Sequence, residues 1–245
     1  MQSIDFDEVE RRALARRDEA GLHAEDVVPD IVEVIERLRI PVAISPFGPD
    51  GPDGLYVQEG DDRLIVLNSG KYLPRFRFTA AHELGHATYE DHPHLDVDIH
   101  AGTSHAEKRA NAFAASFLLP RRALKLRFPN RTHIDPNFAL NLAAEFGVSY
   151  PALIYRLHNV GLISGTARNV LLEAPAALAM EKLRGRPGNE VRLPAEFVRR
   201  AQTAYDQYEI TFQRFSELLR RDKDDLAAAV RDSGILHPED LPRAS

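Results

Sequence analysis

Two histidines and a glutamate within five residues are the part of this chain with the most evident chemistry. The run His82–His86 reads HELGH, and residues four apart lie one above the other on a helix face. Both imidazoles can therefore bind one metal ion, with Glu83 beside an open coordination position. Two nitrogen ligands, a carboxylate base and room for water are typical of zinc sites that hydrolyse peptide bonds. A helical pattern on both sides of the run, after Pro74, supports this interpretation.

Two histidines do not hold zinc alone, and the sequence offers two residues for a third ligand. His92 lies where H-E-x-x-H-x-x-G-x-x-H peptidases have a third histidine, but Tyr89 occupies the position of their turn glycine. Glu107 belongs to a second predicted helix, on a face that is small and apolar apart from Asn111. A buried carboxylate needs a partner, and a metal ion is a good one. We predict Glu107 as the ligand, although Ser104 and Glu107 also have capping-box spacing.

The elements that must position these residues indicate an α+β fold. Before the motif helix, the sequence predicts two charged or amphipathic helices, a short strand and a hairpin, at residues 5–21, 31–38, 41–44, 55–58 and 63–68. We expect the resulting small sheet to pack on the motif helix. A metal-binding core over residues 1–135, a helix-turn-helix-like extension over 136–183 and a helical region over 184–245 are the predicted domains.

Residues 137–163 have helix-turn-helix spacing, with Gly147 after the first helix and Ser149 as the cap of the second. A DNA-reading helix places basic or amide side chains at its start, whereas this one begins with Tyr150 and Pro151, and Arg156 comes later. The formal net charge of −6 also argues against nucleic-acid affinity. We therefore predict a structural or protein-docking role for this unit and no direct DNA binding.

Composition limits the chemistry of the site and the setting of the protein. The 245 residues include no cysteine, so thiolate ligands, disulfides and a cysteine nucleophile are excluded. An all-nitrogen-and-oxygen site suits Zn²⁺ and also admits Mn²⁺. The first ten residues have no apolar leader, and no stretch is apolar enough to span a bilayer. We expect a cytoplasmic protein that does not contact a membrane.

Two separated motifs in the same order resemble the ImmA/IrrE metallopeptidases. The first is FTAAHELGH at residues 78–86, and the second is E-x-x-A-N-x-F-A-A-x-x-L-L-P at residues 107–120. The resemblance runs from about residue 29 to residue 163, and it implies a zincin-like core with zinc held by His82, His86 and Glu107. It also implies that Asn111 lies near the ligands. Members of this family are bacterial or phage intracellular peptidases of stress responses that cleave a helix-turn-helix repressor, or toxin–antitoxin components beside a repressor-like partner.

The residues predict a mechanism in which Glu83 is the general base of a zinc endopeptidase. Glu83 would accept a proton from the attacking water and pass it to the leaving amine. An oxyanion donor is also needed, and the sequence offers Tyr72 or His105 for that role. The competing interpretation is a metal-stabilised anti-repressor, or toxin–antitoxin component, that binds its partner without cleaving it. A DNA-binding activator that uses residues 137–163 is a third.

Overall fold

The computed structural model of the chain describes residues 3–48, 51–91, 104–128, 134–174, 190–230 and 237. Two units result from the packing, Met1–Arg192 and Leu193–Ser245. In the first unit the elements, in chain order, are α1 (Phe6–Glu19), α2 (Ile31–Arg37), β1 (Val42–Ser45), β2 (Gly54–Glu59), β3 (Asp62–Asn68), α3 (Leu73–Tyr89), α4 (His105–Leu118), α5 (Arg121–Arg127), α6 (Pro136–Phe146), α7 (Tyr150–Asn159) and α8 (Gly165–Glu173).

Polar side chains cap several of these helices and so determine where they begin. The side chains of Asp5, Asp30, Ser104, Asp135 and Ser149 each accept a backbone N–H in the first turn of the helix that follows. Such caps satisfy N–H groups that have no partner within the helix, and each typically contributes about 1 kcal/mol. The predicted starts of α2, α4 and α7 agree with these caps to within two residues.

The sheet has the strand order β1-β3-β2. β2 and β3 form an antiparallel hairpin in which Glu59 pairs with Asp62, and β1 runs parallel to β3. A short antiparallel bridge between Ile44 and Arg192 covers part of the other edge, at β1. Helix α3 packs on β2 and β3, with Ile65 and Leu67 fully buried. The structure is thus mixed α+β and mostly helical, with a small three-stranded sheet against the motif helix.

Helices α3 and α4 form the most extensive contact in the first unit. Gly85 permits it, because a Cβ atom there would lie 3.2 Å from the Cα atom of Ala110. A larger residue would push the two helices apart, and they carry the predicted ligands. The chain resumes helical structure directly after Pro120, as α5, and again as α8. Sequence patterns did not predict these two short helices.

Helices α6 to α8 share the hydrophobic core of α1 to α5 and belong to the same packing unit. Two buried arginines anchor them. Arg77 of α3 donates to the carbonyl of Phe146 at the end of α6, and Arg156 of α7 donates to the Leu119 carbonyl and pairs with Glu10 of α1. Arg156, the basic residue of the predicted second helix, is therefore committed to internal partners.

The second unit contains three helices among its described residues: α9 (Ala195–Asp206), α10 (Phe212–Leu218) and α11 (Lys223–Val230). Tyr205, Phe212 and Phe215 form an aromatic core, in which the Tyr205 and Phe215 rings stack 5.2 Å apart. Among the described residues, no helix combines the length and apolar character that a membrane span requires. The sequence at residues 184–189, which contains two glycines and a proline, predicts a linker, and it lies outside the described residues.

Candidate metal centre

Helices α3 and α4 bring His82, His86 and Glu107 together. The two Nε2 atoms are 3.0 Å apart. Glu107 Oε2 lies 3.2 Å from His82 Nε2, and Glu107 Oε1 lies 3.2 Å from His86 Nε2. In the described part of the chain, these residues form a group that could hold a metal ion. All three side chains are partly accessible, at 15%, 13% and 27% of their full exposure. The cluster therefore faces solvent on one side, where water and a substrate can approach.

The donor atoms are close enough together to bind one metal ion of the size of zinc. Bonds of about 2.0–2.1 Å from zinc to nitrogen or oxygen, in a tetrahedron, place neighbouring ligand atoms about 3.3 Å apart. The two Nε2 atoms are 3.0 Å apart, and each lies 3.2 Å from a different Glu107 carboxylate oxygen, so a small movement would allow all three residues to bind one ion. Burial, together with the neighbouring His86, lowers the pKa of His82, so that its imidazole is neutral near pH 7. A neutral imidazole can offer a lone pair to a metal.

Glu107 uses its backbone and its side chain for different purposes. Its backbone N–H donates to the Ser104 hydroxyl at 3.1 Å, which caps α4. Its carboxylate points to the two histidines instead of back to the cap. Of the two hydrogen bonds of a capping box, these contacts include only the one from the Glu107 N–H to Ser104. The carboxylate lies beside the histidines.

Hydrogen bonds on the far side of each ring orient the two imidazoles. The Nδ1 atom of His82 lies 3.1 Å from the Asn111 side-chain oxygen, and Nδ1 of His86 lies 3.1 Å from an Asp91 carboxylate oxygen. Both oxygens are acceptors, so each ring is assigned as the Nδ1–H tautomer, which leaves the Nε2 lone pair facing the cluster. A partner of this kind fixes the ring orientation and raises the basicity of the ligand.

Asp91 reaches His86 because the chain turns sharply at the end of α3. Glu90 is left-handed, with φ of 53°, and the Asp91 N–H donates to the His86 carbonyl. Arg109 of α4 pairs with the other oxygen of Asp91, and its guanidinium lies 4.0 Å from the centre of the Tyr89 ring. Asp91 is thus held between a histidine on one helix and an arginine on the other. Sequence reasoning missed both Asp91 and Arg109.

Glu83 is beside the cluster but is not part of it. It is 8% exposed, and burial, with a smaller effect of Glu107, raises its pKa to about 8. The backbone N–H of Tyr56 acts in the opposite direction. Strand β2 can come this close because residue 54 is glycine: a Cβ atom on Gly54 would lie 2.6 Å from Thr79 Cγ2 and 3.3 Å from Glu83 Cγ. The strand therefore forms a wall beside the carboxylate.

The remaining predicted site residues lie at different distances from the cluster. Asn111 contacts His82 directly. His105 is the exposed first residue of α4, one half-turn before Glu107. Tyr72 is at the N-cap position of α3, ten residues before His82, which corresponds to about 15 Å of helix axis. The alternative ligand His92 lies outside the described residues. The oxyanion role of His105 or Tyr72 stays a prediction.

Comparison with known proteins gives a family for this chain. A solved structure described as a Mycobacterium tuberculosis transcriptional regulator is 20% identical, with a TM-score of 0.45, over 62% of this chain and 46% of that chain. This chain thus spans less than half the length of that regulator. Comparison with curated protein sequences gives no match. The family model Peptidase_M78, described as the IrrE N-terminal-like domain, matches residues 35–158, which are 124 of the 245 residues. The chain therefore belongs to the Peptidase_M78 family, as the resemblance to the ImmA/IrrE metallopeptidases predicted.

Proposed function

We propose that this protein is a zinc-dependent intracellular endopeptidase that cleaves a helix-turn-helix repressor or an antitoxin-like partner. The observation that carries the proposal is the buried carboxylate of Glu83, next to a His-His-Glu cluster to which it does not belong. A purely structural zinc site is closed by its ligands and has no use for a further carboxylate. Burial of such a group is unfavourable, and this favours a catalytic role over a structural one.

In the proposed reaction, His82, His86 and Glu107 would hold zinc, which when bound would supply Lewis-acid polarisation and activate water for attack. Glu83 accepts the proton of the attacking water and delivers it to the amine of the leaving peptide. The raised pKa of Glu83 in the metal-free protein indicates that its pocket disfavours the charged carboxylate. Asn111 and Asp91 keep the ligand imidazoles in the required tautomer. Zinc is the proposed metal, and Mn²⁺ is the alternative that the donor set admits.

We propose that the substrate binds as an added strand along β2. This strand lies at an edge of the sheet, and the pairing of Glu59 with Asp62 next to a two-residue turn determines its hydrogen-bonding pattern. The backbone N–H and C=O groups of residues 55, 57 and 59 point to β3. Those of Gly54, Tyr56 and Gln58 therefore point away from the sheet, at its open edge. The Tyr56 N–H also interacts with Glu83. A peptide paired with this edge would pass beside the proposed base.

The buried contacts of helix α7 favour a packing role for α6 and α7 over the recognition of DNA. Tyr150 and Leu153 of α7 are fully buried, and Arg156 is bound to Glu10 and to a backbone carbonyl. A helix that reads the major groove must present such groups to base edges. We propose that the protein acts in the cytoplasm on a protein partner and does not bind DNA itself.

The experiment is incubation of the zinc-loaded protein with purified helix-turn-helix proteins encoded beside its gene, followed by mass spectrometry of intact protein and fragments. We expect one or two defined cleavages that stop on addition of EDTA and return with zinc. Partner binding without fragments under every metal condition would instead support a sequestering regulator.

A further inference from the structure

A cavity of about 230 Å³ lies between helices α3, α4 and α7, near the His-His-Glu cluster. Asn111 lines it and also accepts the hydrogen bond of His82. Phe78 lines it from α3, one turn before His82, and Ala115 lines it from α4, one turn after Asn111. Four residues of helix advance about 6 Å. The cavity therefore begins about one helical turn from the proposed ligands.

The accessible faces of the two helices are continuous from the cluster to the cavity. On α3 the residues 78, 82 and 86 are partly accessible, whereas the neighbouring positions 79–81 and 83–85 are buried. On α4 the residues 107, 111 and 115 are accessible in the same spacing, as are the neighbouring positions 108, 109 and 112. Residues four apart share a helix face, so each of these faces extends from the proposed ligands toward residues that line the cavity.

The cavity offers apolar surface and no free charge among its lining residues. Ala115 and Ala152 leave it open, and the Tyr155 ring, half exposed, borders it. Arg156 is its charged lining residue, but this guanidinium is committed to Glu10 and to the Leu119 carbonyl. An occupant with a charge would find no counter-charge there, whereas an apolar side chain would lose only its contact with water.

The volume suits one medium or large side chain. Apolar protein cavities of roughly 150 Å³ accept benzene, and this one is larger. We infer that the cavity is the specificity pocket for an apolar substrate side chain, such as leucine, methionine or phenylalanine, on a residue that flanks the scissile bond. This inference rests on the proposed peptidase function and adds a sequence preference to it.

The test uses hydroxamates of dipeptide length, which bind zinc without turnover. Compounds with alanine, leucine or phenylalanine side chains are titrated calorimetrically into the zinc-loaded full chain. Leucine carries three more carbons than alanine, and we expect its compound to bind about 10- to 50-fold more tightly. Ala152→Phe fills the cavity and should reduce this ratio to below about threefold. Ala144→Phe, at an exposed position of α6, is the matched control and should retain the ratio.

Ala115→Leu provides a second filling variant if Ala152→Phe does not fold. Equal affinities for the alanine and leucine compounds in the wild type would overturn the inference. The same holds if the filled variants keep the wild-type ratio of these two affinities. Lack of binding by every hydroxamate also overturns it. The proposed function fails separately: no peptide is cleaved, while the leucine preference and its loss in the filled variants are still observed. Conversely, cleavage with no side-chain preference refutes only the pocket.

Discussion

The buried carboxylate of Glu83 should make the metal-free protein less stable as the pH rises. Its pKa is about 8 in the folded chain, against the ordinary glutamate value of 4.5. The folded state therefore holds the proton more tightly than the unfolded state does. The stabilisation is fully present below pH 4.5 and is lost progressively as the pH rises to about 8.

The size of this effect follows from the shift. One pKa unit corresponds to about 1.4 kcal/mol, and between pH 4.5 and pH 7 the folded protein keeps the proton that the unfolded chain has lost. The loss of stability should then be about 3 kcal/mol at pH 7 and about 5 kcal/mol at pH 9. Glu83→Gln stays neutral at every pH, so the variant should lack this loss.

The assay is urea unfolding in EDTA, followed by circular dichroism, for the wild type and for Glu83→Gln between pH 5 and pH 9. The free energy of unfolding of the variant, minus that of the wild type, should increase by several kcal/mol across this range. Glu59→Gln, at an exposed position of β2, is the control and should give a constant difference. A constant difference for Glu83→Gln as well would refute the claim that this carboxylate is buried at an energetic cost.

Three further predictions concern the metal centre, and competition with a chelating dye for zinc measures each of them. Asp91→Asn keeps the shape of the side chain that orients His86 but removes its charge, and should weaken zinc binding about 10- to 100-fold. Gly85→Ala should weaken zinc binding while leaving the helical content unchanged, because the added Cβ meets the Ala110 backbone between the ligand helices; unchanged affinity would show that the helices can separate freely. Glu107→Ala should lose the bound zinc and His92→Ala should retain one equivalent; the reverse result would make His92 the third ligand.

The local features of the site could be predicted from sequence because they depend on helical spacing. The four-residue separation of His82 and His86, and the single carboxylate of Glu107 on an apolar helix face, both survive in the structure as neighbouring side chains. The sequence alone could not decide whether Glu107 caps its helix or binds the metal. In the structure the backbone N–H of Glu107 donates to Ser104, whereas its carboxylate faces the two histidines, and the ligand role stays a prediction.

The support around the ligands depends on contacts that no periodicity reveals. Asp91 reaches His86 only through a left-handed Glu90, a conformation unusual for a residue other than glycine. The role of Gly54 follows from the approach of a strand to a helix that begins about twenty residues later. A search for an acidic residue just after the end of the motif helix would have found Asp91. No comparable signal marks the close approach at Gly54.

The central claim is that Glu83 performs catalysis and does not hold the metal, and Glu83→Gln tests it most directly. The measurement compares cleavage of a bound repressor by wild type and variant, at equal zinc content and with partner affinity determined in parallel. We expect the variant to bind zinc and partner normally and to lose at least the ~10²-fold that a positioned base contributes. Cleavage at the wild-type rate, or relief of repression in cells without any cleavage, would contradict the account.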